Sequence, residues 1–394
     1  MSAAAEATAR RLRLGMVGGG QGAFIGAVHR IAARLDDRFE LVAGAFASDP
    51  ERAGASAAAL HVAPERAYTD FARMAEAEAA RSDGIDAVAI VVPNHLHRAA
   101  AEPFVQRGIH VICEKPMATT LEDACHLVQL ARCHDVLFAV THNYTGYPMV
   151  RQARQLVADG ALGRIRTVQV EYAQDWLAAK LEDQGVKQAE WRTDPARSGP
   201  AGAVGDIGSH AFHLARFVTG LELEALAAEL STFVAGRRLD DNAQMLLRYQ
   251  GGARGSLWCS QVAVGRENGL ALRVYGDAGG LEWQQEAPNT LHVTAQGGAV
   301  HRYTRAGPGA GHAAGYAVRI PPGHPEGFLE AFAQLYADAA EQIHARLANR
   351  APDPAAGLLP LGHDGAASVA FVEAAVSSSR ADAAWTALAP VEPG

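Results

Sequence analysis

The 394-residue chain predicts an α/β protein in two parts, a dinucleotide-binding parallel sheet followed by a mostly antiparallel sheet. Three observations carry this. An apolar run at 11–17 breaks into Gly18-Gly19-Gly20-Gln21-Gly22-Ala23 and then a helical pattern at 24–35, the order strand, glycine turn, helix. Continuous apolar runs at 85–92, 109–113 and 136–140 are separated by helical stretches, as buried parallel strands with crossover helices are. Beyond residue 220 the pattern changes to a series of short strand-like runs joined by turns such as Gly251-Gly252 and Ala278-Gly279-Gly280, which suit hairpins.

Composition narrows the class. The length exceeds one typical core, and 49% apolar with 20% charged residues suits a soluble globular chain. A net charge of -8 without a basic run argues against a nucleic-acid partner. Residues 1–14 hold arginines with no apolar segment behind them, so neither a signal peptide nor a membrane span is expected, and the cytoplasm is the expected location. Cys113, Cys125, Cys133 and Cys259 form no C-x-x-C pair and no zinc spacing, so reduced, buried and inert thiols and no metal are expected.

In the first half, Gly18, Gly20 and Ala23 fit the form G-x-G-x-x-A, in which missing side chains let a backbone approach a pyrophosphate at a helix N-terminus. Gln21, Gly22 and Phe24 complete the expected contact region; the alternative is a tight turn without a ligand. The second strand, 39–46, runs out without an acid for the adenosine ribose. Asp49 falls where it caps a Pro50-led helix, and Ser48 with Arg52 suits a 2'-phosphate, so NAD and NADP both stay open. A helix at 70–81 leads to the strand at 85–92 and then to Pro93-Asn94-His95-Leu96-His97. Loops at such carboxyl ends face the ligand crevice, which makes Pro93, Asn94 and His97 candidates for the nicotinamide side, or else parts of an ordinary strand-to-helix turn. After a helix at 98–107 and the strand at 109–113 comes Glu114-Lys115-Pro116. A lysine there can bind and polarise a substrate hydroxyl, and the bond to Pro116 is a candidate cis peptide that aims it inward. A helix at 121–134 and a strand at 136–140 complete a domain placed at 1–145.

The chemistry is expected at 192–220, where a Gly/Pro-rich loop runs into a helix ending at Gly220. Asp206 falls at the N-cap and His210 one turn later on the same face. A carboxylate beside that imidazole would raise its pKa and set its tautomer, as suits a general base; alone, the pair would equally be a cap and a structural histidine.

The glycine turn, Val-Pro-Asn-His-Leu-His at 92–97, Glu-Lys-Pro at 114–116 and Asp-Ile-Gly-Ser-His at 206–210 together resemble the Gfo/Idh/MocA oxidoreductases, relatives of glucose-fructose oxidoreductase and inositol 2-dehydrogenase. The resemblance implies a Rossmann domain, a C-terminal α/β domain with a large open, mostly antiparallel sheet, and a catalytic set at Lys115, Asp206 and His210. It departs from the pattern in two places. No acid stands at 46–48, which bears on cofactor choice, and Thr141-His142-Asn143-Tyr144-Thr145-Gly146-Tyr147 replaces an Asn-Arg-type segment, which bears on the substrate.

The second domain, 146–394, begins with a helix at 149–159 and an alternating strand at 165–172. Residues 175–189 read as a mobile or loosely helical excursion near the site, where Trp176, Lys180 and Trp191 stack on or clasp a sugar, or simply pack. Strands are expected at 226–233, 243–249, 254–262, 270–276, 280–285 and 290–294. One face of that sheet would be bare while its strands carry Trp258 and Trp283, which predicts a homodimer or homotetramer stacked through it. Residues 297–325 read as a surface passage in which His312 and His324 are solvated, and helices at 326–348 and 364–379 are expected to pack back on the first domain. The combined expectation is an NAD(P)-dependent dehydrogenase for a secondary hydroxyl of a sugar, glycoside or cyclic polyol. Lys115, Asn143, Tyr144, Tyr147, Asp175, Trp176, Arg192, Asp206 and His210 would meet that substrate. The rivals are a redox-assisted glycosidase and a silent dinucleotide-binding sensor.

Overall fold

In the computed structural model, which describes residues 10–391, the first apolar run forms β1 (Leu12–Gly18) and the pattern after it α1 (Phe24–Leu35). There follow β2 (Phe39–Ala45), α2 (Pro50–Ala59), α3 (Phe71–Ala79), β3 (Ala87–Val91), α4 (His97–Val105), β4 (His110–Cys113), α5 (Leu121–Cys133) and β5 (Phe138–Val140). The five strands are parallel, in the order β2-β1-β3-β4-β5. β3 is buried at every position, which is why it shows no alternation in sequence. The chain leaves β1 on one side for β2 and returns on the other for β3, so the carboxyl ends of β1 and β3 flank a crevice.

The rest of the chain forms α6 (Pro148–Ala158), β6 (Ile165–Ala173), α7 (Lys187–Arg192), α8 (Pro195–Ser198) and α9 (Ser209–Thr219). Then come β7 (Leu223–Ser231), β8 (Asn242–Tyr249), β9 (Arg254–Ser260), β10 (Gly269–Gly276), β11 (Gly279–Gln284), β12 (Thr290–Ala295) and β13 (Val300–Thr304). Three helices, α10 (His312–Tyr316), α11 (Phe328–Leu347) and α12 (Gly362–Arg380), and a short β14 (Thr386–Ala387) close the chain. The second sheet runs β13-β12-β11-β10-β6-β9-β8-β7-β14, with β6 and β9 parallel and the other neighbours antiparallel.

Alternation sets which face of this sheet is covered. In β8, Ala243, Met245, Leu247 and Tyr249 point into the core while Gln244, Leu246 and Arg248 point out. A register slip of one residue would invert that set. The inner face packs on Ile207, Ala211 and Leu214 at α9 and on Phe371 and Val372 of α12, where each fully buried leucine contributes roughly 2 kcal/mol. α11 lies along α1, with Phe332 and Tyr336 edge-on to His29, and α12 packs on α5. Among the described residues no helix is long and apolar enough to cross a membrane.

Two expectations are corrected and a third, open between two readings, is decided. The passage 297–325 contains β13 and α10: the edge of β12 is paired by a strand whose flanking glycines disguised it. Trp283 is not on the bare face but in the core, its indole N–H on the carbonyl of Pro288 at 3.2 Å, because Leu281 and Trp283 share the inward phase of β11. Trp258 stays half-buried, donating to Asn242 Oδ1 at 3.0 Å. Of the two readings of 175–189 the loosely helical one holds: it carries a 3-10 turn, Leu181–Gln184, and the start of α7, and the buried Arg237 guanidinium ties it down, donating to the Leu177 carbonyl at 3.1 Å and to Glu182 at 2.9 Å.

Candidate active site

The glycine turn is shaped by close approach. Gly18 has φ +78°, and a Cβ there would lie 2.5 Å from the Val91 carbonyl oxygen. A Cβ on Gly20 would meet Ser56 Oγ at 2.9 Å and the Phe46 carbonyl at 3.0 Å. The residue that lets α1 touch the turn is Gly26, whose Cβ would fall 2.5 Å from Gly19 Cα, and the fingerprint spacing did not single it out. α1 starts after Ala23 with no side-chain cap, leaving its first N–H groups for an anion. These features fit the pyrophosphate of a dinucleotide.

A cleft of about 1450 Å³ opens here and runs between the two sheets. Gly18, Gly20, Gln21, Ala23, Phe24, Ser48, Pro93, Asn94 and Glu114 line it. Gly22 does not; at φ +80°, with no atom within 4 Å of a Cβ, it serves the turn's conformation. His97 does not either. It is fully buried, its ring nitrogens 2.8 Å from the carbonyl oxygens of Val92 and Pro116, so it braces two crevice loops from behind. Asp49 caps α2, accepting from the Arg52 N–H at 2.8 Å, while Ser48 and Arg52 line the cleft beyond the carboxyl end of β2.

Lys115 follows β4, and the Lys115–Pro116 peptide is cis. Its ammonium crosses to the second half, donating to the Asp206 carbonyl at 2.7 Å and to Asp206 Oδ1 at 2.8 Å. Gln261 donates to Oδ2 at 2.9 Å, and Arg192 Nε stands 3.3 Å from the same oxygen. Burial pushes the Asp206 carboxyl up, but Lys115 and Arg192 outweigh it and hold the group far below the usual carboxylate range.

Asp206 is not an N-cap and forms no couple with His210. It lies in a π-helical turn, Val204–Gly208, that runs straight into α9. The widened turn takes position 206 off the i, i+4 face of position 210 and aims its carboxylate at Lys115. His210 is 7% exposed and edge-on to Tyr144 and His142, with ring centroids at 4.9 and 5.7 Å. Burial, then Lys115, then His142 and His213 push its pKa well below the ordinary range, opposite to the expected rise. The imidazole is therefore neutral at neutral pH.

On the substrate side, Asn143, Tyr144, Trp176 and Arg192 line the cleft with Lys115, Asp206 and His210. The Arg192 guanidinium sits 4.2 Å from the Trp191 ring centre and 6.0 Å from that of Trp176. Tyr147 and Asp175 are elsewhere: Tyr147 is buried against Trp283 and accepts from Gln285 at 3.3 Å, and Asp175 accepts from the Gly265 N–H at 2.9 Å. Sequence reasoning passed over Tyr172, Gln174, Gln188, Gln261, Asn268 and Gln285; Tyr172 sits at the end of the alternating strand β6 and Gln174 just beyond it, but no spacing marks the others. Next to Lys115, the Glu114 carboxylate accepts from Thr141 Oγ1 at 2.7 Å and from the Lys115 N–H at 3.2 Å, with His29 Nε2 at 2.9 Å. Among the described residues no group of three His, Cys, Asp or Glu is placed to hold a metal ion.

Comparison with known proteins agrees with the two-part fold. Residues 12–142 match the profile described as "Oxidoreductase family, NAD-binding Rossmann fold", and residues 150–282 match that of the GFO/IDH/MocA C-terminal domain. The chain is similar to the crystal structure of an oxidoreductase from Sinorhizobium meliloti, at 53% identity and TM-score 0.87 over 96% of this chain and 99% of that one. It is also similar to an inositol dehydrogenase homolog from Azotobacter vinelandii, complexed with NADH and myo-inositol, at 37% identity and TM-score 0.89 over 96% and 98%. A curated relative, the uncharacterized oxidoreductase YfiI of Bacillus subtilis, is 34% identical over 73% of this chain and 74% of its own length.

Proposed function

The chain belongs to the Gfo/Idh/MocA oxidoreductase family, and from that premise we propose that it is an NAD(P)-dependent dehydrogenase moving a hydride between nicotinamide and a secondary hydroxyl or ketone of a sugar, glycoside or cyclic polyol. One observation supports this most: an ammonium from the glycine-turn half and a neutral imidazole from the other half share one cleft, with Asp206 joining the halves.

The glycine turn and the N-terminus of α1 would hold the pyrophosphate, with Pro93, Asn94 and Glu114 toward the nicotinamide. When bound, the dinucleotide supplies the hydride-accepting ring. In oxidation, an imidazole nitrogen of His210 takes the hydroxyl proton as the carbon gives up its hydride. The third N–H of Lys115, whose other two donate to Asp206, stabilises the developing alkoxide. Asp206, held by Gln261 and Arg192, positions and charge-balances that lysine.

In this reading residues 1–145 bind the dinucleotide and residues 146–394 bind substrate and assemble two or four copies. The outer face of the second sheet supports the assembly, with Leu246 of β8 59% exposed and Tyr275 of β10 also in the outward phase. Cys113 and Cys259 are buried as expected, whereas Cys125 and Cys133 are exposed because they fall on the outer side of α5; thiols rather than disulfides suit the reducing cytoplasm. The test is a panel of sugars, glycosides and inositols with NAD and with NADP, following absorbance of the reduced cofactor. Turnover that Lys115→Ala or His210→Ala leaves unimpaired rejects the assignment.

A further inference from the structure

The widened turn that carries Asp206 has its cause outside the cleft. A π turn is rare, and something around it has to hold it. The Ser209 N–H reaches back five residues to the Val204 carbonyl, whereas the Asp206 N–H makes the ordinary four-residue bond to Gly202, at 2.9 Å. One extra residue is therefore taken up between Val204 and Ser209.

Both ends of this segment are fixed. Downstream, α9 is set in the core: Ala211 and Leu214 are buried, and Phe212 stacks on Phe371 with ring centres 4.5 Å apart. Upstream, Asp240, at the end of the loop from β7 to β8, takes three successive N–H groups. Its Oδ1 accepts from Gly202 at 2.6 Å, its backbone carbonyl from Ala203 at 2.9 Å and its Oδ2 from Val204 at 2.9 Å. The first N–H groups of a helix have no partner inside it, so this one residue supplies from a distant segment the cap that a neighbour in sequence usually supplies. Gly202 permits the approach, since a Cβ there would lie 2.1 Å from the Asp240 carbonyl oxygen. Neither Asp240 nor Gly202 lines the cleft.

With the helix start pinned to Asp240 and its later turns pinned to the core, the residues between exceed by one what α turns hold, and the π turn absorbs the excess. That turn presents the Asp206 carbonyl and carboxylate to Lys115, at 2.7 and 2.8 Å. We propose that Asp240 is a positioning residue: by fixing where the helix begins it holds the π turn, and through the turn it sets the contact between Lys115 and Asp206. Its consequence for turnover rests on the dehydrogenase reading above, in which that contact places the ammonium against the alkoxide.

Two variants of the full chain break the cap from opposite sides. Asp240→Asn sets an amide donor against a backbone donor, and Gly202→Ala pushes the two backbones apart. Each is expected to lower kcat about tenfold to a hundredfold, as misplacing a reacting group does, while affinity for the reduced dinucleotide, read by its fluorescence, stays within about twofold. In an Asp206→Asn background the same changes should cost less than about twofold, because their route to the chemistry is already cut. An unchanged kcat in either variant, or losses that multiply in full with Asp206→Asn, overturns the proposal. A wild-type chain that oxidises no polyol with either cofactor rejects the dehydrogenase reading alone. Melting midpoints then test Asp240: Lys115→Met and Asp206→Asn are expected to be non-additive in the wild type and additive beside Asp240→Asn, and non-additivity that survives in that background overturns its role.

Discussion

The contact between Lys115 and Asp206 is the covalently unlinked hinge of the proposed site, and a double-mutant cycle measures it. At 2.8 Å and an effective dielectric of about 20, the charge pair is worth on the order of 6 kcal/mol before desolvation is subtracted. Both side chains are mostly buried, so removing Asp206 strands the ammonium, and removing Lys115 leaves the carboxylate with Arg192 and Gln261 but short of its nearest cation, at a cost of about 3–5 kcal/mol at most. With an unfolding entropy near 2.1 cal/mol/K per residue, a chain this long has about 0.8 kcal/mol/K, so Asp206→Asn and Lys115→Met should each lower the thermal midpoint by about 4–6 °C. The double variant leaves no unpaired ion from this contact, so its midpoint should lie near that of the single variants, a coupling of about 3 kcal/mol. Scanning calorimetry of the four proteins at one scan rate supplies the numbers. A double variant whose loss is the sum of the two single losses would refute the pairing, as would a single variant with an unshifted midpoint.

Four further outcomes follow from the geometry. His210→Gln should lower turnover by about 10²–10⁴ while affinity for the reduced cofactor stays within about twofold. Since burial and Lys115 push the His210 pKa well below 6.5, the acid limb of the kcat/KM profile should also lie well below pH 6.5, and a limb at or above that value sinks the neutral-base assignment. Gly18→Ala places a methyl 2.5 Å from the Val91 carbonyl at a positive φ, so dinucleotide affinity should fall more than about tenfold; undiminished binding excludes the turn as the pyrophosphate cradle. Stability should drop in mild acid, because burial lowers His110 to about 4 and His213 to about 3 from 6.5. The unfolded chain takes up protons below pH 6.5 that the folded chain refuses, so their stabilising effect is complete above 6.5. It is lost at about 1.4 kcal/mol per pH unit per histidine as pH falls toward 4. A melting midpoint flat from pH 7 to 5 contradicts this.

The first sheet was legible because its signals are local. Strand, glycine turn and helix stand next to one another from Leu12 to Leu35, and the buried strands show as unbroken apolar runs. The second sheet was nearly as legible through alternation, except where glycines surround β13, and the regular phase of β11 puts Trp283 inward with Leu281. Reading 206–210 as a plain α-helical turn produced the wrong partner for Asp206, since a π turn has no sequence spacing that distinguishes it from an α turn. His97 and Tyr147 look like crevice residues from their loops, yet both are held behind the wall by neighbours distant in the chain.

What the residue order alone decided is therefore the set of elements and the chemical types near them, since helix and strand periodicity and glycine's backbone freedom act over a few residues. Which atoms meet was decided only by the fold. Lys115 and Asp206 are separated by 91 positions, and the substrate wall draws Asn143, Gln174 and Asn268 from three separate segments. The protonation of His210 was likewise beyond the sequence, because it depends on how much water the packed cleft excludes and on which charges the packing brings beside the ring.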